Sequence, residues 1–349
     1  IYLGAKALFD GLGIDYVIPP LNSKLSLEIG SLQSPEEICM PFKIMIGNYI
    51  QAIDKGADTV IILGSCGPCR FGEYCGMQMK LFKKLGYNLE FILIDAPKEI
   101  GIKELFNRVN KISSRSNKSE HEKIRAVYDA LKVINLIDDI EAKAHYLAGY
   151  EKNKGECKQI LNKCRDEALA CNNPRKMVKL LVNYKKTISN IEIDSRKNPI
   201  KIAIIGEIYT IIDPLSNLFI EDKLMDYGVS TKRILSPSWW IKNTLLMPGK
   251  LSSGNIKKAA KEYIPLSIGG FSRECIGEAV LAKKEGFHGA IQIFPVGCMP
   301  EIVSKSILTT VSKDKNFPIM SLVVDEMTGE AGYITRIEAF ERRQEKCII

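Results

Sequence analysis

The chain has 349 residues, of which 46% are hydrophobic and 26% are charged, as in an ordinary globular protein with room for two hydrophobic cores. No apolar run approaches the roughly 20 residues that span a bilayer, and no secretory signal opens the chain, so the sequence argues against a membrane protein. The net charge of +8 raises the question of nucleic acid, but residues 98–200, with 22 lysines and arginines against 14 acidic residues, have few aromatics and no binding signature. We interpret this basic segment as a solvated helical surface or as a docking face for an acidic protein.

Residues 1–98 alternate helical and strand patterns. The chain begins at Ile1 without a methionine, in a helical pattern, so we expect the natural N-terminus and a first strand to precede it. Short apolar runs bounded by glycine and proline predict strands at Tyr16–Ile18, Thr59–Leu63 and Phe91–Ile94. Such alternation predicts a parallel sheet.

Residues 99–196 hold almost no strand signal, and their apolar residues recur at helical spacing, which predicts a helical insertion or linker. Cys157, Cys164 and Cys171 lie seven residues apart and therefore share a helix face. At ~1.5 Å per residue, consecutive thiols lie about 10 Å apart along the helix axis, too far for one cluster. We interpret them as small apolar core residues.

Residues 197–349 return to the alternating pattern. Ile200–Gly206 reads as an opening strand, Ala290–Phe294 and Ser321–Val324 as later strands, and Gly329 leads into a last helix that ends at Arg342 and Arg343. The prediction is an α/β protein of two similar Rossmann-like parallel-sheet domains, an internal repeat, with boundaries at 1–98, 99–196 and 197–349. The helical insertion lies between the two α/β domains.

The two α/β regions also repeat their cysteines. Each has a helical stretch that carries a cysteine, then a strand followed by a cysteine, then a helix and a strand ending in aspartate. The matched pairs are Cys39 and Cys275, Cys66 and Cys298, and Asp95 and Asp325. Open α/β sheets place their chemistry at the carboxyl ends of strands, so the two regions could face one shared metallocluster.

Four thiols stand out as candidate ligands. Cys66 and Cys69 form a C-x-x-C at a turn, which lets two thiolates face one metal, and the fold can bring in Cys39 and Cys298. Four thiolates suit zinc or an iron–sulfur cluster. A redox dithiol and purely structural thiols are the other interpretations.

Cys75 and Cys275 are expected near the same edge of the sheets, either as further ligands or as thiols that bind no metal. We assign no role to Cys347. Ten cysteines in a chain of this size without a signal sequence favour a reducing cytoplasm.

Other catalytic motifs are scarce. None of the three histidines lies in a metal-binding pattern, and there is no G-x-x-x-x-G-K-[ST] phosphate loop. Gly206 is followed by Glu207 and not by a second glycine, so the dinucleotide fingerprint is missing. The sequence therefore argues against ATP or NAD binding by these routes.

Four separated segments carry a resemblance to a known family. The segments are Ser65-Cys66-Gly67-Pro68-Cys69-Arg70-Phe71-Gly72, Gly206-Glu207-Ile208-Tyr209, Phe294-Pro295-Val296-Gly297-Cys298-Met299-Pro300-Glu301-Ile302-Val303 and Asp325-Glu326-Met327-Thr328-Gly329-Glu330-Ala331-Gly332. Together they resemble the CoA protein activases, a family that belongs with the 2-hydroxyacyl-CoA dehydratase and benzoyl-CoA reductase-like proteins and is related to the double-cubane-cluster proteins. The resemblance covers both α/β regions and is weak over 99–196.

The resemblance implies an iron–sulfur protein of the cytoplasm of anaerobes, to which a separate ATP-hydrolysing activator delivers single electrons at very low potential. Cys39, Cys66, Cys69 and Cys298 carry over as ligands of a [4Fe-4S] cluster. If Cys75 and Cys275 also ligate, a double cubane is implied. Dehydratases of this family work as two different subunits on acyl-CoA, so a homo- or heterodimer and a small-molecule or acyl-CoA substrate are expected.

Four further residues of the matching segments are candidates for proton delivery or for contacts around the cluster, namely Glu207, Tyr209, Glu301 and Glu330. Helix capping and loop hydrogen bonding are their structural alternative. The leading hypothesis is a low-potential reductase or acyl-CoA dehydratase-like component. The alternatives are a non-catalytic electron-transfer or cluster-carrier protein and a zinc-stabilised structural protein.

Overall fold

The chain is a mixed α/β protein, mostly helical, with two small parallel sheets of two and four strands. The structure is a computed structural model that describes residues 2–64, 69–95, 100–246 and 254–348. No helix within these ranges is long and apolar enough to cross a membrane.

The strands are short and are separated in sequence by helices. They are β1 (Thr59–Leu63), β2 (Glu90–Ile94), β3 (Lys201–Gly206), β4 (Ser230–Lys232), β5 (Gly289–Pro295) and β6 (Ile319–Val324). β1 pairs with β2, and the larger sheet has the order β4-β3-β5-β6.

The helices before β3 are α1 (Tyr2–Leu12), α2 (Lys24–Gln33), α3 (Met40–Ile53), α4 (Tyr74–Lys84), α5 (Ile102–Ser113), α6 (Glu120–Leu147), α7 (Glu156–Ala170) and α8 (Pro174–Ser189). Those after β3 are α9 (Ile208–Ile212), α10 (Ile220–Asp226), α11 (Pro237–Trp240), α12 (Gly254–Ala260), α13 (Ser272–Lys284), α14 (Met299–Asp314) and α15 (Glu330–Ile348). A 3-10 turn at Arg70–Glu73 precedes α4, and a π-helical segment at Ile241–Leu246 follows α11.

By its contacts the chain divides into two compact units. The first consists of residues 1–18, 109–201 and 220–241, and the second of residues 19–108, 202–219 and 242–349. The domain boundaries predicted from the sequence, at 98 and 196, stay a prediction.

The first unit is a helical bundle organised around α6. A capping box, in which Ser119 and Glu122 satisfy each other's backbone N–H groups, starts this helix. α1, α7 and α8 pack on it, and their apolar faces form one core that includes Val133, Leu161 and Leu181. Cys157 and Cys164 are fully buried in this core, which confirms their assignment as core residues, while Cys171 is half-buried at its edge.

The second unit contains two strand–helix–strand crossovers. β1 and β2 pair in parallel from Thr59 opposite Glu90 onward, with α4 between them in sequence. β5 and β6 pair in parallel from Ala290 opposite Ile319 onward, with α14 between them. β3 pairs in parallel with β5.

Two glycines set how closely α2 and α3 pack. A Cβ added at Gly30 would lie 1.6 Å from the carbonyl oxygen of Lys43, and one at Gly47 would lie 1.8 Å from that of Ser26. Because any side chain at either position would force the helices apart, this crossing requires glycine at both. It fixes the helix whose first turn follows Cys39.

The predicted strands correspond to β1, β2, β3, β5 and β6 within two residues at each end. The strand predicted at Tyr16–Ile18 is wrong: these residues are in no sheet, and Tyr16 stacks on Phe9 and donates a hydrogen bond to Asp10. The following Pro19 and Pro20 lack the N–H groups that a ladder needs. The three-residue β4 was missed, and the last helix continues past Arg343 to Ile348.

Candidate metal centre

Cys39, Cys69 and Cys298 each occupy the same kind of local position. Each is the residue before a helical segment: Cys39 before α3, Cys69 before the 3-10 turn and Cys298 before α14. All three have extended backbones and none uses its sulfur to cap the helix. A proline in the first turn of α3 and of α14 helps to start each helix directly after its cysteine.

Electrostatic interactions join these three thiols within the second unit. Burial raises the pKa of the Cys39 thiol; the hydrogen bond with Tyr74 opposes the rise, and the negative charges of Glu207 and Cys69 add to it. The pKa of Cys298 is also raised, first by burial and then by Glu207, Glu301 and Cys69. Cys69 therefore interacts with each of the other two thiols, and all three thiols interact with Glu207. Metal binding to such thiols releases their protons and is correspondingly pH-dependent.

Glu207 follows β3 directly and begins α9. Its carboxylate accepts hydrogen bonds from the backbone N–H groups of Tyr209 at 2.9 Å and Thr210 at 2.8 Å, and from the Thr210 hydroxyl at 2.6 Å. Gly206 before it has φ of +132°, and a Cβ there would lie 2.1 Å from the carbonyl oxygen of Ile293. This glycine lets β3 end closely against β5. Burial raises the pKa of Glu207.

Glu301 lies in the first turn of α14 and is almost completely buried. Its Oε2 accepts a hydrogen bond from Gln292 Nε2 at 2.8 Å, and Gln292 Oε1 in turn accepts one from the Ser321 hydroxyl at 2.7 Å. Burial raises the pKa of Glu301 to about 7, although its hydrogen bonds with Gln292 and Cys275 oppose the rise. A carboxyl group that titrates near neutral pH can exchange a proton with a neighbouring group.

Tyr209 and Glu330 have different surroundings. The Tyr209 hydroxyl accepts a hydrogen bond at 3.1 Å from the side-chain amide of Asn22, which also donates to Asp213 at 2.7 Å. Glu330 is exposed at the first residue of α15, where a carboxylate suits the helix N-terminus. Glu207 and Glu301, two of the four predicted acid–base residues, interact with the Cys298 thiol.

The two additional candidate ligands are core residues. Cys75 is buried in the apolar cluster around Phe42 and Phe82, with its sulfur 4.0 Å from that of Met79. Cys275 is fully buried one turn inside α13, where its thiol interacts electrostatically with Glu301 and Cys298. Cys275 therefore lies close to the thiol group, whereas the surroundings of Cys75 are apolar.

Cys66, the fourth predicted principal ligand, lies outside the described residues. The eight cysteines whose side chains are described are all free thiols. Within the described ranges, no group of three or more His, Cys, Asp or Glu side chains is gathered tightly enough to hold a single metal ion.

Sequence reasoning missed two residues that contact this region. Tyr74, at the start of α4, is buried and hydrogen-bonds through its hydroxyl to the Cys39 sulfur. Lys43, one turn after Cys39, is also buried, and its amine donates to the Glu36 carbonyl at 2.9 Å and pairs with the Glu326 carboxylate at 2.5 Å. The spacing of Lys43 from Cys39 could have drawn attention to it, but nothing in the sequence links it to Glu326.

A shallow cleft of about 630 Å³ opens beside Cys69. Its lining includes Ile38, Arg70, Glu73 and Met77. Arg70 donates a hydrogen bond to the Glu37 carbonyl at 2.9 Å, which ties the turn after Cys69 to the segment before Cys39. The cleft therefore gives solvent and small molecules an approach to this part of the thiol group.

Comparison with protein-family models and with curated proteins found no match to this chain.

Proposed function

We propose that the chain is an iron–sulfur protein that acts as a low-potential reductase or acyl-CoA dehydratase-like component, driven by electrons from a separate ATP-dependent activator. The observation that carries the proposal is the shared position of Cys39, Cys69 and Cys298 directly before three helical segments, together with the interaction of Cys69 with each of the other two thiols. Cys66 would complete the ligand set through its C-x-x-C spacing to Cys69. The resemblance in four separated motifs points to the same chemistry.

The donor set fits an iron–sulfur cluster. In a cubane each thiolate binds a different iron, so its ligands need not gather as tightly as four ligands of one zinc ion. Among the described thiols, Cys69 interacts with Cys39 and with Cys298. Their soft sulfur atoms and partial burial fit an iron–sulfur cluster.

Several groups of the chain would act on such a cluster. α3 and α14 are 14 and 16 residues long and begin directly after Cys39 and Cys298, so their positive N-terminal ends favour the anionic sulfur ligands. Glu207 adds negative charge that favours the oxidised state, and Glu301 can hold a proton near Cys298. When bound, the cluster supplies one-electron transfer at low potential.

The proposed fold is a pair of similar Rossmann-like domains. Each proposed domain contains a parallel strand–helix–strand crossover, β1-α4-β2 in one and β5-α14-β6 in the other. Cys66 follows the end of β1 by the same three residues by which Cys298 follows the end of β5. The equivalence of Cys39 and Cys275 is weaker, because Cys39 precedes its helix and Cys275 lies one turn inside its own.

A cytoplasmic location under anaerobic conditions follows from this proposal, because free thiols and a low-potential cluster require a reducing environment. The [4Fe-4S] form needs the four principal cysteines, and a double cubane would need Cys75 and Cys275 as well. Non-catalytic electron transfer is the second candidate, and the half-buried positions of Cys39 and Cys69, which leave the thiol group partly exposed to a redox partner, favour it.

The test is anaerobic purification after expression with both iron and zinc available, followed by metal and acid-labile sulfide analysis. We expect brown protein with about four irons and four sulfides per chain if one cubane forms. The variants Cys39→Ser, Cys69→Ser and Cys298→Ser should lose or convert the cluster, because each removes a soft ligand.

The matched control is Cys164→Ser, in the core of the first unit, which should keep the cluster spectrum whatever it does to stability. Colourless protein with stoichiometric zinc would refute the proposal and favour a zinc-stabilised structural protein. Equal cluster loss in Cys164→Ser and in the ligand variants would show that the cysteines are assigned wrongly.

A further inference from the structure

Tyr74, the first residue of α4, is a buried tyrosine whose hydroxyl reaches one of the candidate ligands. Its side chain is fixed by packing: the ring is 1% exposed, meets the Phe42 ring edge-on at 5.0 Å between centroids and lies 4.8 Å from the Phe71 ring. The hydroxyl at the tip of this buried ring contacts the Cys39 sulfur within hydrogen-bonding distance. The aromatic neighbours therefore hold the hydroxyl against the sulfur.

The direction of this hydrogen bond follows from the proposed role of Cys39. In the free protein either the thiol or the phenol can be the donor. A cysteine that binds iron is a thiolate and carries no hydrogen. With the metal bound, the Tyr74 O–H must therefore donate and the Cys39 sulfur must accept.

We propose that Tyr74 is a positioning residue whose hydroxyl donates to the cluster-ligating sulfur of Cys39 and thereby sets the reduction potential of the cluster. The inference rests on the proposed function. Hydrogen bonds to sulfur are among the factors that set the potentials of iron–sulfur clusters. Because one-electron reduction by an external reductant would increase the negative charge on the Cys39 sulfur, a hydrogen bond donated by Tyr74 would stabilise the reduced state more than the oxidised state.

Tyr74 and Glu207 act in opposite directions on the same sulfur. The Glu207 carboxylate interacts with the Cys39 thiol through its negative charge, which disfavours additional charge on the sulfur. The Tyr74 hydroxyl offers a positive hydrogen to that atom. Removing the hydroxyl would leave the effect of the carboxylate unopposed at this sulfur, so reduction should become harder.

The experiment is a redox titration of the anaerobic holoprotein with dithionite, monitored by electron paramagnetic resonance, for wild type and Tyr74→Phe. Phenylalanine keeps the ring packing and removes the donor. In Tyr74→Phe we expect the equilibrium constant for one-electron reduction to fall about tenfold, which corresponds to a reduction potential about 59 mV more negative than in wild type. The matched control is Tyr87→Phe, which removes a hydroxyl from a half-buried ring of the same aromatic cluster, 5.6 Å from Phe82.

A second variant keeps the inference testable if Tyr74→Phe fails to fold. Incorporation of 3-fluorotyrosine at position 74 keeps the shape and the hydroxyl but makes the phenol a stronger donor, so the potential should become less negative. A holoprotein whose potential is unchanged in the variants that fold would overturn the role of Tyr74 alone. Wild-type protein that assembles no cluster would overturn the proposed function and this inference together.

Discussion

At the scale of single residues, the first unit contains a buried ionic network that should govern its acid stability. Glu221 accepts from His145 Nδ1 at 3.1 Å and lies 3.3 Å from Arg233 Nε. Arg233 also faces Glu141, which pairs with Arg165 at 2.8 Å. Burial acts to raise the pKa of Glu221, but the charges of Arg233 and His145 outweigh it and lower the pKa to about 2.

This network predicts loss of stability in acid. The carboxyl of Glu221 has a lower pKa in the folded chain than in the unfolded chain, where it is about 4.3, so the unfolded state binds protons first as the pH falls. The contribution of Glu221, roughly 3 kcal/mol in the free energy of unfolding, should be fully present above pH 5 and should disappear between pH 4.3 and 2. Urea unfolding across this range measures it.

The variant Glu221→Gln should be less stable than wild type at pH 6 and should show a shallower loss of stability between pH 5 and 2. The control is Glu192→Gln, which removes an exposed ion pair with Lys152 and should change stability by less than about 1 kcal/mol. An unchanged pH slope in Glu221→Gln would assign the acid sensitivity to other groups.

The predictability of the candidate site also differs from residue to residue. Cysteines stand out in a sequence because of their chemistry, and their placement after strands or before helices follows from local pattern, so Cys39, Cys69 and Cys298 could be selected from the sequence. Tyr74 and Lys43 could not, because their partners lie 35 and 283 residues away and depend on packing. The sequence around a buried tyrosine or lysine does not indicate which atom its side chain will contact in the folded chain.

At the scale of elements, the apolar strands were predictable because a short run such as Ile202–Ile205 can be buried on both faces only inside a sheet. The three-residue β4 has no such run, so it was not predicted. The apolar segment Tyr16–Ile18 forms no strand, and its Tyr16 instead donates a hydrogen bond to Asp10 of α1. The helices of residues 102–189 were predictable in kind from their periodicity. The close crossing of α2 and α3 was not, because a glycine in a helix does not reveal which backbone will approach it.

This crossing yields a prediction about α3. In Gly47→Ala the new methyl group would meet the Ser26 carbonyl, so the helices must separate, at a cost of about 2–3 kcal/mol in the free energy of unfolding. Since α3 begins after Cys39, the variant should also retain less iron per chain than wild type. Urea unfolding followed by circular dichroism and iron analysis are the measurements.

The matched control is Gly76→Ala, on the exposed face of α4, where an added Cβ meets nothing within 4 Å. This change should leave the iron content unchanged and stabilise the chain by about 0.5–1 kcal/mol, because alanine favours the helix. Equal stability of the two variants would mean that the α2–α3 contact is looser than described.

At the scale of the whole molecule, the distribution of charge is the feature that sequence and structure share. The excess positive charge belongs to residues 98–200, which are largely helical, and α8 presents exposed basic residues that include Lys176 and Lys179. Positive surfaces of this kind bind acidic partners and lose affinity as salt increases. Under the proposed function, an ATP-hydrolysing activator is the partner that we expect this surface to bind.

The last prediction is that the chain alone is an incomplete catalyst. Its sequence contains no phosphate-binding loop, so we expect no ATP hydrolysis by the isolated holoprotein and cluster reduction only with the cognate activator, ATP and a reductant. Added salt should slow this reduction. The double variant Lys176→Glu/Lys179→Glu should also slow it. The matched control is the double variant Lys24→Glu/Lys55→Glu, whose lysines lie outside the basic segment and whose effect on the rate should be smaller. Stopped-flow absorbance of the cluster measures the rate. Robust ATPase activity by the chain alone, or full reduction by a mild donor without ATP, would contradict the activator-driven function and favour a plain electron carrier, because a carrier must accept electrons without an energy input.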